Sequence, residues 1–267
     1  MVIDFHTHVF PAKIAGKAVA ALERSSGYES FSDGTIKGLI ASMDESGIDY
    51  SVNQPILTKP ESFYKTLDRL KEQTDENGRV LSFAAIHPLS EDVEKCVATI
   101  KELGFKGIKL HPFFQNEPIN SARTKKLVAL ASEAGLFTMI HPGKDASFPG
   151  ASMASPEMII DLLDDVRPKN VILAHMGGME EWNSVLDLIV GRDVYFDTSF
   201  SLDVMGEELF VKTVRAHGAD RVLFGTDSPW RSQKDYVRRL KACRGLTEEE
   251  KRLVFYKNAA KILNIKV

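Results

Sequence analysis

The opening segment, Val2-Ile3-Asp4-Phe5-His6-Thr7-His8, carries two histidines two residues apart inside a run that reads as a buried β-strand. Side chains two apart on a strand share one face, so Asp4, His6 and His8 are expected to point the same way. Two neutral imidazoles spaced by about 6–7 Å of strand make a two-point ligand for a divalent metal ion. The same pair would also fit a strand end that histidines merely cap, so the rest of the chain has to decide.

Of the seven histidines, His6, His8, His87, His111, His141 and His175 fall where predicted strands end, and Asp227 closes the last predicted strand. A donor set of nitrogen and oxygen without thiolate suits zinc, manganese or iron, with one coordination position left open for catalysis. His217 stands apart, in the Ala216-His217-Gly218 end of a helical segment. A cation is favoured at a helix C-terminus, and His217 is read as structural.

The elements that must position these groups alternate along the chain. After the opening strand come predicted strands over Ile48–Pro55, Val80–Ile86, Lys106–Leu110, Leu136–Ile140, Val171–Ala174, Val194–Phe196 and Arg221–Phe224. Predicted helices cover Pro11–Arg24, Ile36–Ser46, Ser62–Glu76 with a stop at Asn77-Gly78, Ser90–Leu103, Ser121–Ala134 and Ser155–Val166, then Gln233–Cys243 and Thr247–Leu263. Eight short strands alternating with helices predict parallel βαβ units closed into an α/β (β/α)8 TIM barrel, one domain over residues 1–267. The competing open doubly wound sheet would carry a Gly-rich phosphate turn after its first strand, and none is present. In a barrel, all strand C-termini converge on one mouth, where catalytic groups sit.

Composition narrows the partners. A net charge of −3 and a pI near 6.2 leave no electrostatic footprint for nucleic acid. Cys96 and Cys243 lie far apart with no CxxC spacing, which fits a reducing compartment. No apolar run approaches the roughly 18 residues that a membrane span needs. With the candidate metal strand in the first eight residues no signal peptide is expected, and the expected location is the cytoplasm.

His6-Thr7-His8, His141, His175-Met176-Gly177-Gly178 and Phe224-Gly225-Thr226-Asp227 together resemble the amidohydrolase superfamily. More narrowly, they resemble its branch of aminocarboxymuconate semialdehyde decarboxylase and related lactone and amide hydrolases. Met43-Asp44-Glu45-Ser46-Gly47-Ile48-Asp49 and Asn258-Ala259-Ala260-Lys261-Ile262-Leu263 extend the resemblance over the whole chain. It implies one metal ion, commonly zinc with manganese as the alternative, held by His6, His8, His141 and Asp227. It also implies that His175 orients or deprotonates an activated water, and that Asp227 accepts a proton as that water attacks. Lys109 sits where binuclear members carry a bridging carboxylated lysine; a buried lysine paired with a carboxylate such as Asp4 is the favoured reading. His111 and Arg231 are candidates for substrate contact, Arg231 as a bidentate partner of a substrate carboxylate. Trp230 lines the pocket or covers the rim.

The activity expected from these residues is hydrolysis of a lactone, ester or amide by metal-activated water. The alternative is non-oxidative decarboxylation of an unsaturated or aromatic acid at the same centre. Decarboxylases of this branch tend to be longer, and several carry a glutamate where His6 stands. A nuclease of the TatD type would carry a strand-four glutamate, where this chain has Gly107-Ile108-Lys109-Leu110-His111. A scaffold that has lost its chemistry would lack ligands, and none is missing. The substrate is expected to be a small molecule met by the loops Ser25–Thr35, Phe113–Asn120 and Gly143–Ala154, with Phe31, Phe113, Phe114 and Phe148 as apolar walls. Members of the branch are often homodimers.

Overall fold

The computed structural model describes residues 1–73 and 78–267 in full and residues 74–77 as helical backbone. Strand β1 (Ile3–Thr7) pairs in parallel with β2 (Tyr50–Asn53), and β2 with β3 (Val80–Ser82). Phe83 interrupts this third stave, which continues as β4 (Ala84–Ala85) and pairs with β5 (Gly107–Leu110). The parallel order then runs through β6 (Phe137–Ile140), β7 (Val171–Leu173) and β8 (Tyr195–Asp197) to β9 (Val222–Leu223). The last stave returns to the first: Phe5 N–H donates to Phe224 O at 2.8 Å, and Asp227 N–H to His6 O at 2.8 Å. The expected closed barrel is what the chain forms.

Helices α1 (Ala15–Ser26), α2 (Ile36–Ser46), α3 (Phe63–Asn77), α4 (Val93–Glu102), a single turn α5 (Pro112–Gln115), α6 (Ala122–Glu133) and α7 (Pro156–Val166) lie between the staves. They are followed by α8 (Trp182–Leu188), α9 (Glu207–His217), α10 (Gln233–Ala242), α11 (Glu248–Arg252) and α12 (Asn258–Leu263). Their ends follow from side-chain chemistry. The Thr35, Ser121, Ser155 and Ser232 hydroxyls each accept an N–H of the first turn, satisfying donors the helix itself cannot. The expected cap of α4 shifts: Asp92, not Ser90, accepts Lys95 N–H at 3.0 Å. The side chain of Asn77, in the expected stop of α3, lies outside the described residues.

The expected helix Thr247–Leu263 runs unbroken from its Thr247 cap as α11, a π turn over Leu253–Lys257, and α12. Asn258, which opens α12, donates its amide to Ala219 O and Val222 O at 2.8 Å each. From there α12 packs Ala259, Ala260, Ile262 and Leu263 against Ile3, Phe5, Val52, Phe83, Met139, Ile172 and Leu223. Each large side chain so buried contributes about 1.5–3 kcal/mol, so this apolar plug makes a rigid floor under the mouth.

Candidate metal centre and active site

The two histidines of β1 reach the mouth through an irregularity. The β1–β2 register shifts between Asp4 and Thr7, so strict alternation breaks just before His6. As a result Asp4 does not share the surroundings of His6, contrary to expectation. Asp4 accepts from Thr226 N–H and Oγ1–H at 3.0 and 2.6 Å, and from Gln233 Nε2 at 2.7 Å. Burial pushes its pKa up to about 7 against those donors. It ties β1 to the start of α10.

His6 faces Asp197, with Nδ1 2.7 Å from Oδ2 and both groups buried. A carboxylate can only accept, so Nδ1 carries the proton and Nε2 presents its lone pair to the mouth. Lys109 Nζ lies 3.2 Å from that Nε2, and Asp227 Oδ1 3.5 Å. His8 Nε2 approaches the same Asp227 oxygen to 2.9 Å. Asp227 Oδ1 is nevertheless buried with no aligned hydrogen-bond donor. Two imidazole nitrogens and a carboxylate oxygen thus lie within 4.8 Å of one another, close enough to be ligands of one divalent cation. Gly225 makes room for this: a Cβ there would lie 2.9 Å from His6 Cβ and 3.4 Å from Asp197 Cγ.

His141 and His175 repeat the pattern. His175 Nδ1 is 3.1 Å from Ser199 O, an acceptor, so its proton sits there and Nε2 is free. His141 Nε2 faces Lys144 O at 3.3 Å and Asp145 Oδ2 at 3.6 Å, both acceptors, which puts its proton on Nε2. The remaining lone pairs, His175 Nε2 and His141 Nδ1, stand 2.9 Å apart. In these tautomers the pair suits a cation beside it. Burial first, then His111 and His175, holds the His141 pKa well below the ordinary imidazole range, and burial also lowers that of His175. This disfavours a shared proton and fits a metal ion.

The expected ligands are thus divided. His6, His8 and Asp227 place their ligand atoms within 4.8 Å of one another, whereas His141 groups in the same sense with His111 and Asp145. His141 reaches the first group through His175. The His111 ring stacks on His141 at 4.1 Å, and its Nδ1 is buried without a partner. Burial pushes Asp145 up to about 6. Sequence reasoning did not single out Asp197, Ser199 or Asp145 for chemistry. Asp197 accepts from His175 N–H at 3.1 Å, from Ser199 N–H at 2.9 Å and from the Ser199 hydroxyl, as well as from His6. Burial would raise its pKa, but His6 and these donors hold it at about 2.

Three expectations need correction. Lys109 is not paired with Asp4; its ammonium lies against His6, and burial lowers its pKa to about 8 despite Asp197 and Asp227. Arg231 is not free for a substrate: Nε donates to Asp203 Oδ2 at 2.7 Å, and the guanidinium lies 3.5 Å over the Phe200 ring. His217 is structural but no cation, since burial lowers its pKa to about 4. His87 accepts Leu89 N–H at Nδ1 (3.1 Å), a local turn contact.

The mouth opens into a pocket of about 390 Å³ reached by His8, His111, His141, His175 and Asp227. Ile14 and Leu22 around α1, Ile56, Phe114 and Trp230 supply apolar wall. The loop after α1 is anchored by Phe31 N–H donating to Pro229 O at 2.7 Å. The Phe31 ring itself points outward, 63% exposed, and Phe113 and Phe148 stack on one another at 5.7 Å. Among the described residues no helix is long and apolar enough to cross a membrane.

A closed parallel barrel that gathers imidazoles from its first, fifth and sixth staves and a carboxylate from its eighth defines a metal-dependent barrel enzyme. The chain belongs to the amidohydrolase family, whose model (Amidohydro_2) matches residues 3–265. Its fold is similar to that of 2,6-dihydroxybenzoate decarboxylase from Rhizobium, with 17% identity, a TM-score of 0.75, and coverage of 99% of this chain and 98% of that one. A dihydroxybenzoic acid decarboxylase from Polaromonas sp. JS666, solved with bound manganese and the inhibitor 2-nitroresorcinol, gives 17%, 0.74, 99% and 97%. A probable 2-pyrone-4,6-dicarboxylic acid hydrolase from Acinetobacter baumannii, solved with citric acid bound, gives 16%, 0.70, 98% and 99%. A search of curated proteins returns no match. At these identities the likeness to solved structures is one of fold.

Proposed function

We propose that this protein is a metal-dependent hydrolase of a small lactone, ester or amide. The observation that carries the reading is the grouping of the His6, His8 and Asp227 ligand atoms within 4.8 Å of one another, beside a pocket that His8, His141, His175 and Asp227 line. His6, His8, His141 and Asp227 would hold one divalent ion, zinc in this reading and manganese as the alternative. Such an ion, when bound, polarises a carbonyl and lowers the pKa of water from 15.7 towards about 7.

The chain's own groups do the rest. Asp197 holds the proton on His6 Nδ1, fixing the tautomer that directs Nε2 into the mouth. Ser199 O does the same for His175, whose free Nε2 orients the attacking water. Asp227 takes the proton of that water and passes it to the leaving oxygen or nitrogen. Its Oδ1 has no hydrogen-bond donor among the described residues, which leaves a lone pair for that proton. The apolar wall limits water to the reacting face.

A second reading, non-oxidative decarboxylation, is favoured by the several decarboxylases among the fold neighbours, some of them solved with manganese. The two separate in a direct test. Metal-loaded protein is incubated in ¹⁸O-labelled water with lactones, esters and amides, and with hydroxylated aromatic acids. Hydrolysis places ¹⁸O in the acid product. Release of carbon dioxide without ¹⁸O in the organic product would establish the second reading and sink the first.

A further inference from the structure

Helix α3 brings to the pocket a cation that the metal-centre chemistry does not use. Arg69 lines the pocket with Asn53, Pro55, Ile56 and Thr58, the residues that lead from β2 towards α3. Side chains on a helix lean towards its N-terminus, and α3 begins at the mouth because it follows the end of β2. The long arginine side chain therefore reaches back to the cavity. Phe63, Thr66, Leu67 and Leu70 of α3 are buried and fix the helix.

The guanidinium is half-buried, and Nε is fully buried with no acceptor. Burial lowers its pKa, and no neighbouring acid offsets that cost. Arg231 shows the ordinary solution at the same mouth, with Asp203 on Nε and rings against the plane. A half-buried, always-charged fork whose Nε has no acceptor among the described residues matches a carboxylate arriving from outside, because the fork geometry pairs bidentately with one. We infer that Arg69 holds a carboxylate of the substrate. The substrate is then a small organic anion: its carboxylate sits at Arg69 and is not consumed, its apolar body lies along Ile56, Phe114 and Trp230, and its reacting bond lies at the His8–His141–Asp227 wall. This rests on the pocket being the substrate site, as in the proposed hydrolase.

The test uses metal-loaded parent, Arg69→Gln and Arg69→Lys proteins, each checked for unchanged metal content, and calorimetric titration with benzoate and with its neutral isostere benzamide. The parent should prefer benzoate. Arg69→Gln should weaken benzoate by about 10- to 100-fold, the range for a hydrogen-bonded charge, and benzamide by less than about threefold. Arg69→Lys should fall between, restoring charge without the fork. No benzoate preference in the parent, or equal loss of both ligands in the variants, would overturn the inference. Arg69-dependent benzoate binding without turnover of any lactone, ester or amide would remove the hydrolase and leave the anion site standing.

Discussion

His175 and His217 are both buried imidazoles whose pKa burial lowers, yet they do opposite work. His217 lies outside the mouth with both nitrogens answered: Nε2–H donates to Val194 O at 2.8 Å, and Nδ1 accepts Gly191 N–H at 3.2 Å. Its ring stacks on Phe196 at 3.8 Å. Nothing is left over for a ligand. His175 also gives its Nδ1 proton to a carbonyl, but its other lone pair meets that of His141. Burial does not tell the two apart; the nitrogen that His175 turns to His141 does.

The largest effect that would break this comparison is in His141→Ala, which removes one of the facing lone pairs. Metal content should drop from about one ion per chain to near none, with affinity down by more than about 100-fold, read by elemental analysis after dialysis. Retention of the ion would show that the facing lone pairs do not mark the site. Asp197→Asn acts one step back, since it removes the anion that fixes the His6 tautomer. Affinity measured by chelator competition should fall about 10- to 100-fold, and an unchanged value would dismiss the tautomer argument.

His217→Gln should leave metal affinity alone and change stability against pH instead. Its folded pKa, about 4, lies below the ordinary 6.5, so its contribution is complete above 6.5 and is lost as pH falls from 6.5 to 4. The loss is on the order of 3 kcal/mol. Urea unfolding at pH 7 and pH 4.5 should therefore show a steeper decline in the parent than in the variant; parallel declines would contradict the assignment. The smallest effect belongs to Lys109→Met. With the ammonium gone from His6 Nε2, metal should bind a few-fold more tightly at unchanged stoichiometry. Loss of a second ion would instead identify a bridging carboxylated lysine.

Much of the barrel was legible because each stave ends in a residue out of keeping with a buried strand. His111, His141 and His175 follow β-rich runs directly, and Gly47 and Ser155 mark helix boundaries by chemistry that acts within a few residues. What escaped is long-range. Asp197 terminates its stave as Asp227 does, but its value comes from His6, 191 positions away. The break at Phe83 and the register shift in β1 depend on which neighbours crowd the strand, and no local pattern carries that. Arg231 misled because a guanidinium beside the mouth reads the same whether Asp203 or a substrate meets it. The single turns of α5 and the short α8 are held by tertiary packing, below the length at which periodicity shows.

The seam of the barrel runs between β1 and the end of β9, where Asp227 N–H donates to His6 O and His8 N–H to Ser228 O. The candidate ligands His6, His8 and Asp227 straddle that seam, so an ion held by them would also rivet the joint. A nascent chain holds the histidines from the outset but acquires the carboxylate only when its final stave has been synthesised and docked. Ion capture is then coupled to ring closure, the contact of greatest sequence separation and slowest formation. With an ion so held, the two ends of the ring would part only after surrendering it.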